Sequence, residues 1–302
     1  MKQPVFYIVK ALFYLISFLP FRIIYAISDC LFFLIYYIIR YRKDVVFKNL
    51  RSSFPEKNDR EIQKIAREFY HFLSDQLLES IKMLTITRES VKARFRINNL
   101  QEVTRHFDNN KAVIAITGHY GNWEWGGLII SILLEQPVII VYKPLTDKKF
   151  EQLINRMRSR FNAILAPMKN ILRKVTEYKN KSYLAILVGD QTPARSEISY
   201  FTQFMNQPTA VFTGAEKLAK MTRNPVVYCH INRYKRGFYE CTFHTLADIP
   251  ESTAEKEITN FYLQKLEEII REKPELWLWS HRRWKYSANE TVQPREDAPH
   301  LV

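Results

Sequence analysis

The chain is expected to fold as an α/β protein, a mostly parallel central sheet flanked by helices, with an N-terminal hydrophobic membrane-anchoring helical segment. Two observations predict the sheet. Three short uncharged apolar runs, 112–117, 138–142 and 183–188, read as buried strands, and the first is β-branched as suits a strand buried on both faces. Helical patterns separate them, which is the rhythm of βαβ units. A third observation predicts the anchor: residues 5–39 are apolar and aromatic and lead directly into Arg40, Arg42, Lys43, Lys48 and Arg51. No repeat, low-complexity tract or flexible linker follows. The expected division is a membrane-anchoring segment over 1–43 and one catalytic domain over 44–302.

Within the anchor, Lys10, Pro20, Arg22 and Asp29 interrupt the apolar pattern and divide it into 5–19 and 23–39. The second piece is about long enough to cross a hydrocarbon core, which takes roughly 17 to 25 residues. The first is shorter and suits the interface; the competing reading is a core hairpin of a soluble domain. No small-residue cleavage pattern marks a signal peptide, and the following cations favour a cytoplasmic position for the rest of the chain. Residues 49–56 read as a loop. Asn58 with Glu61 makes a capping box for a helix whose apolar stripe is Ile62, Ile65, Ala66, Phe69, Leu73, Leu77, Ile81 and Leu84. That helix packs rather than reacts, and its His71 and Asp75 read as a solvated or structural pair. Helices are expected over 147–161, 170–178, 209–221 and 253–273, with a strand pair over 225–231 and 238–246. The chain closes with Trp277, Trp279, His281, Arg282, Arg283, Trp284 and Lys285, ahead of a polar tail after Ser287.

The 45 Lys+Arg against 31 Asp+Glu leave a formal net charge of +14, which points to a polyanionic partner: nucleic acid, an anionic membrane surface or an acidic carrier protein. Aromatic residues at 14% with only 7 glycines fit a membrane-associated protein better than a disordered nucleic-acid binder. Cys30, Cys229 and Cys241 are odd in number and form no Cys-x-x-Cys pair, which argues against a disulfide framework and for a reducing compartment.

The reactive stretch is Thr117-Gly118-His119-Tyr120-Gly121-Asn122-Trp123-Glu124, set between the first strand and a helix. Glycines let the backbone bend sharply there and leave room for a substrate. A histidine with a carboxylate is a general-base pair: the acid takes the Nδ1 proton and leaves Nε2 free to accept one. Five residues turn an ideal helix through about 500°, so positions 119 and 124 can meet only across a turn. Asp190 ends the third strand run and falls on the same rim as His119. The basic cluster Arg156, Arg158 and Arg160 reads either as a solvated face or as a cradle for phosphates and a developing oxyanion. No Gly-x-Ser-x-Gly elbow or neighbouring cysteine supplies a nucleophile, so attack by a substrate hydroxyl is expected rather than a covalent acyl-enzyme. His-x4-Glu is not His-Glu-x-x-His, and His71, His106, His230, His244, His281 and His300 lack ligand spacing, so no metal is expected. No nucleotide loop appears.

These residues carry a resemblance. The chain is similar to the lipid A biosynthesis acyltransferases, the late lauroyl/myristoyl transferases acting on Kdo-lipid A, within the lysophospholipid acyltransferase superfamily. The likeness covers most of the chain: the N-terminal segment, Asn49-Leu50 to Phe54-Pro55-Glu56, Gly118 to Glu124, Val141-Tyr142-Lys143-Pro144, the arginines around Arg158, Gly189-Asp190-Gln191, Pro208 to Gly214, and Pro274 to Lys285. Two departures stand out. Thr192 occupies the place of a second aspartate, and Phe204-Met205-Asn206 replaces a common Phe-Phe-Gly.

The resemblance implies transfer of a fatty acyl chain from acyl carrier protein to a hydroxyl of an anionic glycolipid, a lipid A precursor, at the cytoplasmic face of the cell inner membrane. It implies no cofactor, metal or nucleic acid. His119 is then expected as the base, Glu124 as the group that holds and charge-balances it, Arg158 as the oxyanion's cation and Asp190 in support. The implied substrate contacts are Gly121, Asn122, Lys143, Arg156, Arg160, Gln191, Arg282 and Arg283. A lysophospholipid, glycolipid or aminolipid acceptor is the alternative within the same chemistry. A non-catalytic membrane or nucleic-acid binder is the alternative outside it.

Overall fold

The structure, a computed structural model, describes residues 3–286; the polar tail after Ser287 and His300 lie outside them. Two helices open the chain, α1 (Gln3–Phe18) and α2 (Phe21–Phe33), with Pro20 as the N-cap of the second. Proline fixes φ and lacks an N–H, so it ends one helix and starts the next. α2 continues through a π-helical turn, Leu34–Ile38. The stretch Phe21–Ile38 has a mean hydropathy of 1.7 over 18 residues and is long and apolar enough to cross a membrane, which makes it a candidate anchor. Ile8, Leu12, Leu15 and Phe18 on α1, and Phe33, Tyr37, Ile38 and Ile39 beyond them, are exposed. The polar side of α2 faces protein instead. Ser28 donates to Asp75 at 2.7 Å, and Asp29, which interrupts the apolar run, is neutralised by Arg236 at 2.6 Å.

α3 (Lys43–Ser53) and α4 (Asp59–Lys82) follow; residues 49–53, expected as loop, are the last turns of α3, and α4 has the expected capping box: Asn58 accepts from the amides of Arg60 and Glu61, and Glu61 accepts from Asn58. The buried face of α4 is wider than its apolar stripe. Leu77 is exposed, whereas Leu78 and the polar Ser74, Asp75, Gln76 and Glu79 are buried, because α2 packs on this helix from one side and the C-terminal segment from another. His71 and Asp75 do not pair. The His71 ring stacks on Phe32, and Asp75 receives Arg233 and Arg236.

The remaining elements are α5 (Arg88–Arg94), β1 (Phe95–Ile97), α6 (Gln101–Phe107), β2 (Val113–Thr117), α7 (Trp123–Leu133), β3 (Val138–Tyr142), α8 (Lys148–Arg158), β4 (Ile164–Pro167), α9 (Ile171–Glu177), β5 (Leu184–Val188), β6 (Phe201–Phe204), β7 (Gln207–Ala210), α10 (Gly214–Thr222), β8 (Val226–Lys235), β9 (Phe238–Ala247) and α11 (Glu257–Glu272). Seven strands form one sheet in the order β1-β9-β8-β2-β5-β3-β4. Neighbours run parallel except β8 and β9, whose hairpin is antiparallel. All five residues of β2 are buried at the centre, as the uncharged run requires.

One expected helix is shorter than its pattern. Thr209 and Ala210 belong to a β6–β7 hairpin, paired with Thr202 and Phe201, and α10 begins only at Gly214. The hairpin turns at Met205 and Asn206, both at positive φ (51° and 61°). Asparagine tolerates this left-handed region better than most residues, so Asn206 serves where the resembled family often carries glycine.

Candidate active site

β2 and β5 end abreast, with Thr117 opposite Val188. Their connections then leave in opposite directions along the sheet, to β3 and towards β8. The gap between such connections at the carboxyl ends of parallel strands is where α/β sheets hold ligands. His119 and Asp190 meet there. Nδ1 of His119 lies 2.5 Å from Oδ1 of Asp190, and Oδ2 accepts both the His119 main-chain N–H and the Trp277 indole N–H at 2.8 Å. Burial by itself would raise the Asp190 pKa; the His119 charge and the three donors outweigh it and bring the carboxyl down to about 2. An ionised Asp190 keeps the ring proton on Nδ1, which leaves a lone pair on Nε2. The Gln191 side-chain amide donates to that lone pair at 3.2 Å, and Trp123 stands edge-on to the ring at 4.8 Å between centroids.

The partner of His119 is therefore Asp190 and not Glu124, a correction to the spacing-based pairing. Glu124 lies in the first turn of α7, facing α8, where Arg158 takes both its oxygens: Nε to Oε2 at 2.8 Å and Nη2 to Oε1 at 2.5 Å. This bidentate pair fixes the guanidinium and leaves its Nη1 without a hydrogen bond among the described residues. Burial opposes the Arg158 charge, but Glu124 more than offsets it and holds the pKa above the ordinary arginine value.

His119, Glu124 and Arg158 line one pocket of about 440 Å³, whose apolar walls include Ile140, Ile154, Met168, Ile186 and Phe212. That volume is ordinary for a small-molecule site. Of the expected substrate contacts, Lys143 and Gln191 line this pocket and the others do not. Gly121 is a turn residue at φ +62°, where an added Cβ would sit 2.4 Å from the Ile231 carbonyl oxygen. Asn122 is fully buried and caps α7 by accepting from Trp125 N–H at 2.9 Å. Arg156 points to solvent on α8, and Arg160 donates to the Met83 carbonyl. Arg282 is exposed; Arg283 is buried and donates to the Ala210 carbonyl, its Nε and Nη2 having no partner among the described residues.

The C-terminal segment builds part of the site. Tyr120 and Trp277 form a β-bridge, Gly121 N–H donates to Leu276 O at 3.0 Å, and Leu278 N–H donates to His119 O at 3.1 Å. Thr192, in the place of the second aspartate, gives its main-chain N–H to Nε2 of His281 at 3.1 Å and its hydroxyl to the Arg283 carbonyl at 2.6 Å. Burial lowers the His281 pKa to about 4, so that nitrogen remains an acceptor at neutral pH.

A second acid supports the turn from behind. Glu79, fully buried, accepts from Tyr25 OH on Oε1 (2.8 Å) and from Asn122 Nδ2 and Tyr239 OH on Oε2 (both 2.7 Å). Burial, the largest influence, raises its pKa to about 7 against the pull of these donors. An acid whose folded pKa is raised binds more protons folded than unfolded across the interval between the two values. Stability is therefore expected to fall, by on the order of 3 kcal/mol, as pH rises from about 4.5 through 7. Thermal unfolding across that range should show this slope in the wild type and lose it in Glu79→Gln.

The model of one protein family, described as bacterial lipid A biosynthesis acyltransferase, matches residues 1–286. The chain is 24% identical over 251 residues to the lipid A biosynthesis palmitoleoyltransferase of Escherichia coli (strain K12), which covers 82% of this chain and 80% of that protein. A lipid A biosynthesis acyltransferase of Shigella flexneri aligns to the same extent. With the lipid A biosynthesis lauroyltransferase of Escherichia coli (strain K12), identity is 21% over 272 residues, 88% of this chain and 87% of the relative.

Proposed function

The chain belongs to the bacterial lipid A biosynthesis acyltransferase family, and from that premise we propose that it transfers a fatty acyl chain from acyl carrier protein to a hydroxyl of a lipid A precursor. The observation that carries the mechanism is the His119–Asp190 pair at the mouth of an apolar-walled pocket. The acceptor hydroxyl displaces the Gln191 amide from Nε2 and gives up its proton there as its oxygen attacks the thioester carbonyl. The tetrahedral oxyanion is met by Nη1 of Arg158, which Glu124 holds in place. Collapse expels the carrier's thiolate, which recovers the proton from the His119 imidazolium.

Direct transfer is favoured over an acyl-enzyme because the pocket lining contains no serine or cysteine. Of its hydroxyls, those of Thr117 and Thr192 are committed to the carbonyls of Cys229 and Arg283, and neither Tyr142 nor Thr146 hydrogen-bonds His119. The apolar helices and the cations that follow them support attachment at the cytoplasmic face of the inner membrane, where an acidic carrier protein is available.

The test is mass spectrometry of total lipid, including lipid A, from cells with and without the gene. Loss of one acyl chain from lipid A is expected. Unchanged lipid A with an altered phospholipid or aminolipid would move the acceptor to the alternative class. With purified protein, Arg158→Ala should lower turnover about a hundredfold, the usual effect of removing an oxyanion donor, and change KM less. Unchanged turnover would remove Arg158 from that role.

A further inference from the structure

A second cleft, of about 690 Å³, opens at the end of the apolar helix and shares no lining residue with the reaction pocket. Its charged lining is Arg40, Lys43, Lys48 and Arg51 with a single acid, Asp44. Arg51 is engaged on its outer side by Asp59 at 3.1 Å. Arg40, Lys43 and Lys48 have no carboxylate within ion-pair distance among the described residues.

The backbone holds these cations together rather than letting them diverge. Arg40 adopts a left-handed conformation (φ 55°), as does Arg42 (φ 50°), a region that residues with a side chain avoid. The turn is closed by Tyr41 N–H on the Ile35 carbonyl and by Tyr70 OH on the Tyr41 carbonyl. Nζ of Lys43 lies 3.7 Å from the centroid of the Tyr36 ring. Burial, and after it the neighbouring Arg40, lowers the Lys43 pKa. Four cations lining one cleft with a single acid favour a bound anion.

The surroundings identify the anion. Tyr37, Ile38, Ile39 and Tyr41, exposed by 47, 62, 59 and 42%, immediately flank the cations. Apolar residues and tyrosines of this kind occupy the boundary between acyl chains and headgroups, where lipid phosphates lie. We propose that this cleft binds the phosphodiester headgroup of an anionic membrane phospholipid. The site is separate from acyl transfer and independent of the reaction assigned to His119. An acidic protein is the less suitable occupant, because lipid would cover the apolar rim that such a partner must cross.

The full chain in dodecyl maltoside micelles, titrated with phosphatidylglycerol and followed by native mass spectrometry, tests the assignment. Phosphatidylglycerol should remain bound, while phosphatidylcholine and inorganic phosphate at equal concentration should not. The double variant Lys43→Gln with Lys48→Gln should bind phosphatidylglycerol about tenfold more weakly or worse, as expected when two cations leave a lipid surface. A control of equal charge loss, Lys179→Gln with Lys181→Gln, should bind as the wild type does. Should the double variant unfold, Lys48→Glu, at an exposed position of α3, carries the same expectation. Equal binding by wild type and variant, an equal loss in the control, retention of phosphatidylcholine, or loss of carrier-protein binding in place of lipid binding would each overturn the proposal.

Discussion

His119→Ala is expected to reduce acyl transfer by about a thousandfold or more while the protein still folds. A positioned general base contributes roughly 10² to 10⁴ in rate, and a factor of 10³ corresponds to about 4 kcal/mol of barrier. The ring lines the pocket rather than the core. The bonds that shape the turn, His119 N–H to Asp190 and Leu278 N–H to the His119 carbonyl, belong to the backbone and survive the truncation. The measurement is turnover of purified variant with an acyl-carrier thioester and a lipid A precursor, alongside its thermal unfolding. Activity within tenfold of wild type would dismiss His119 as the base.

Asp190→Asn should cost nearly as much without removing an atom from the ring. The Trp277 indole and the His119 amide both donate to Oδ2, so the amide oxygen of an asparagine would take that place and turn its NH₂ towards Nδ1. Nδ1 would then have to accept, Nε2 would carry the proton, and no lone pair would face the acceptor hydroxyl. A loss of 10² to 10⁴ in kcat is expected, with KM changed much less. Stability supplies an independent signature. A carboxyl depressed to about 2 stabilises the fold above the ordinary aspartate range, and that contribution, about 2 kcal/mol, is lost as pH falls from about 4 towards 2. Unfolding followed over that interval should slope in the wild type and run flatter in Asp190→Asn. A variant with full kcat would leave Asp190 a purely structural role.

The parts of this site legible in the sequence are those encoded within a short stretch. β2, β3 and β5 are short, uncharged and apolar, so their existence and the exposure of His119 and Asp190 at one rim followed from local pattern. Which carboxylate serves the histidine did not. That choice depends on the register Thr117 to Val188 between strands about seventy residues apart, and no local spacing encodes it. The Glu124–Arg158 pair spans 34 positions for the same reason. Arg283 is expected among the substrate contacts, yet tertiary packing buries it against the Ala210 carbonyl. Glu79 was hidden by the assumption that charge on an amphipathic helix faces water. Its spacing from Phe72 and Asp75 along the buried side was the available signal. The short strands β1 and β4 carry too few residues to establish a period.

The C-terminal clamp on the turn has a consequence for how the molecule comes into being. Asn49, near the start of the chain, donates to the carbonyls of Trp279 and His281 at 2.9 Å, across separations of 230 and 232 residues. Trp277 supplies one of the hydrogen bonds that keep Asp190 ionised. During translation the opening helices and His119 emerge before Trp277, whose indole completes the hydrogen bonds to Asp190. Contacts of such long sequence separation form late and slowly. On the proposed mechanism the His119–Asp190 pair is therefore complete only once the segment around Trp277 and Trp279 has docked against the His119 turn and Asn49.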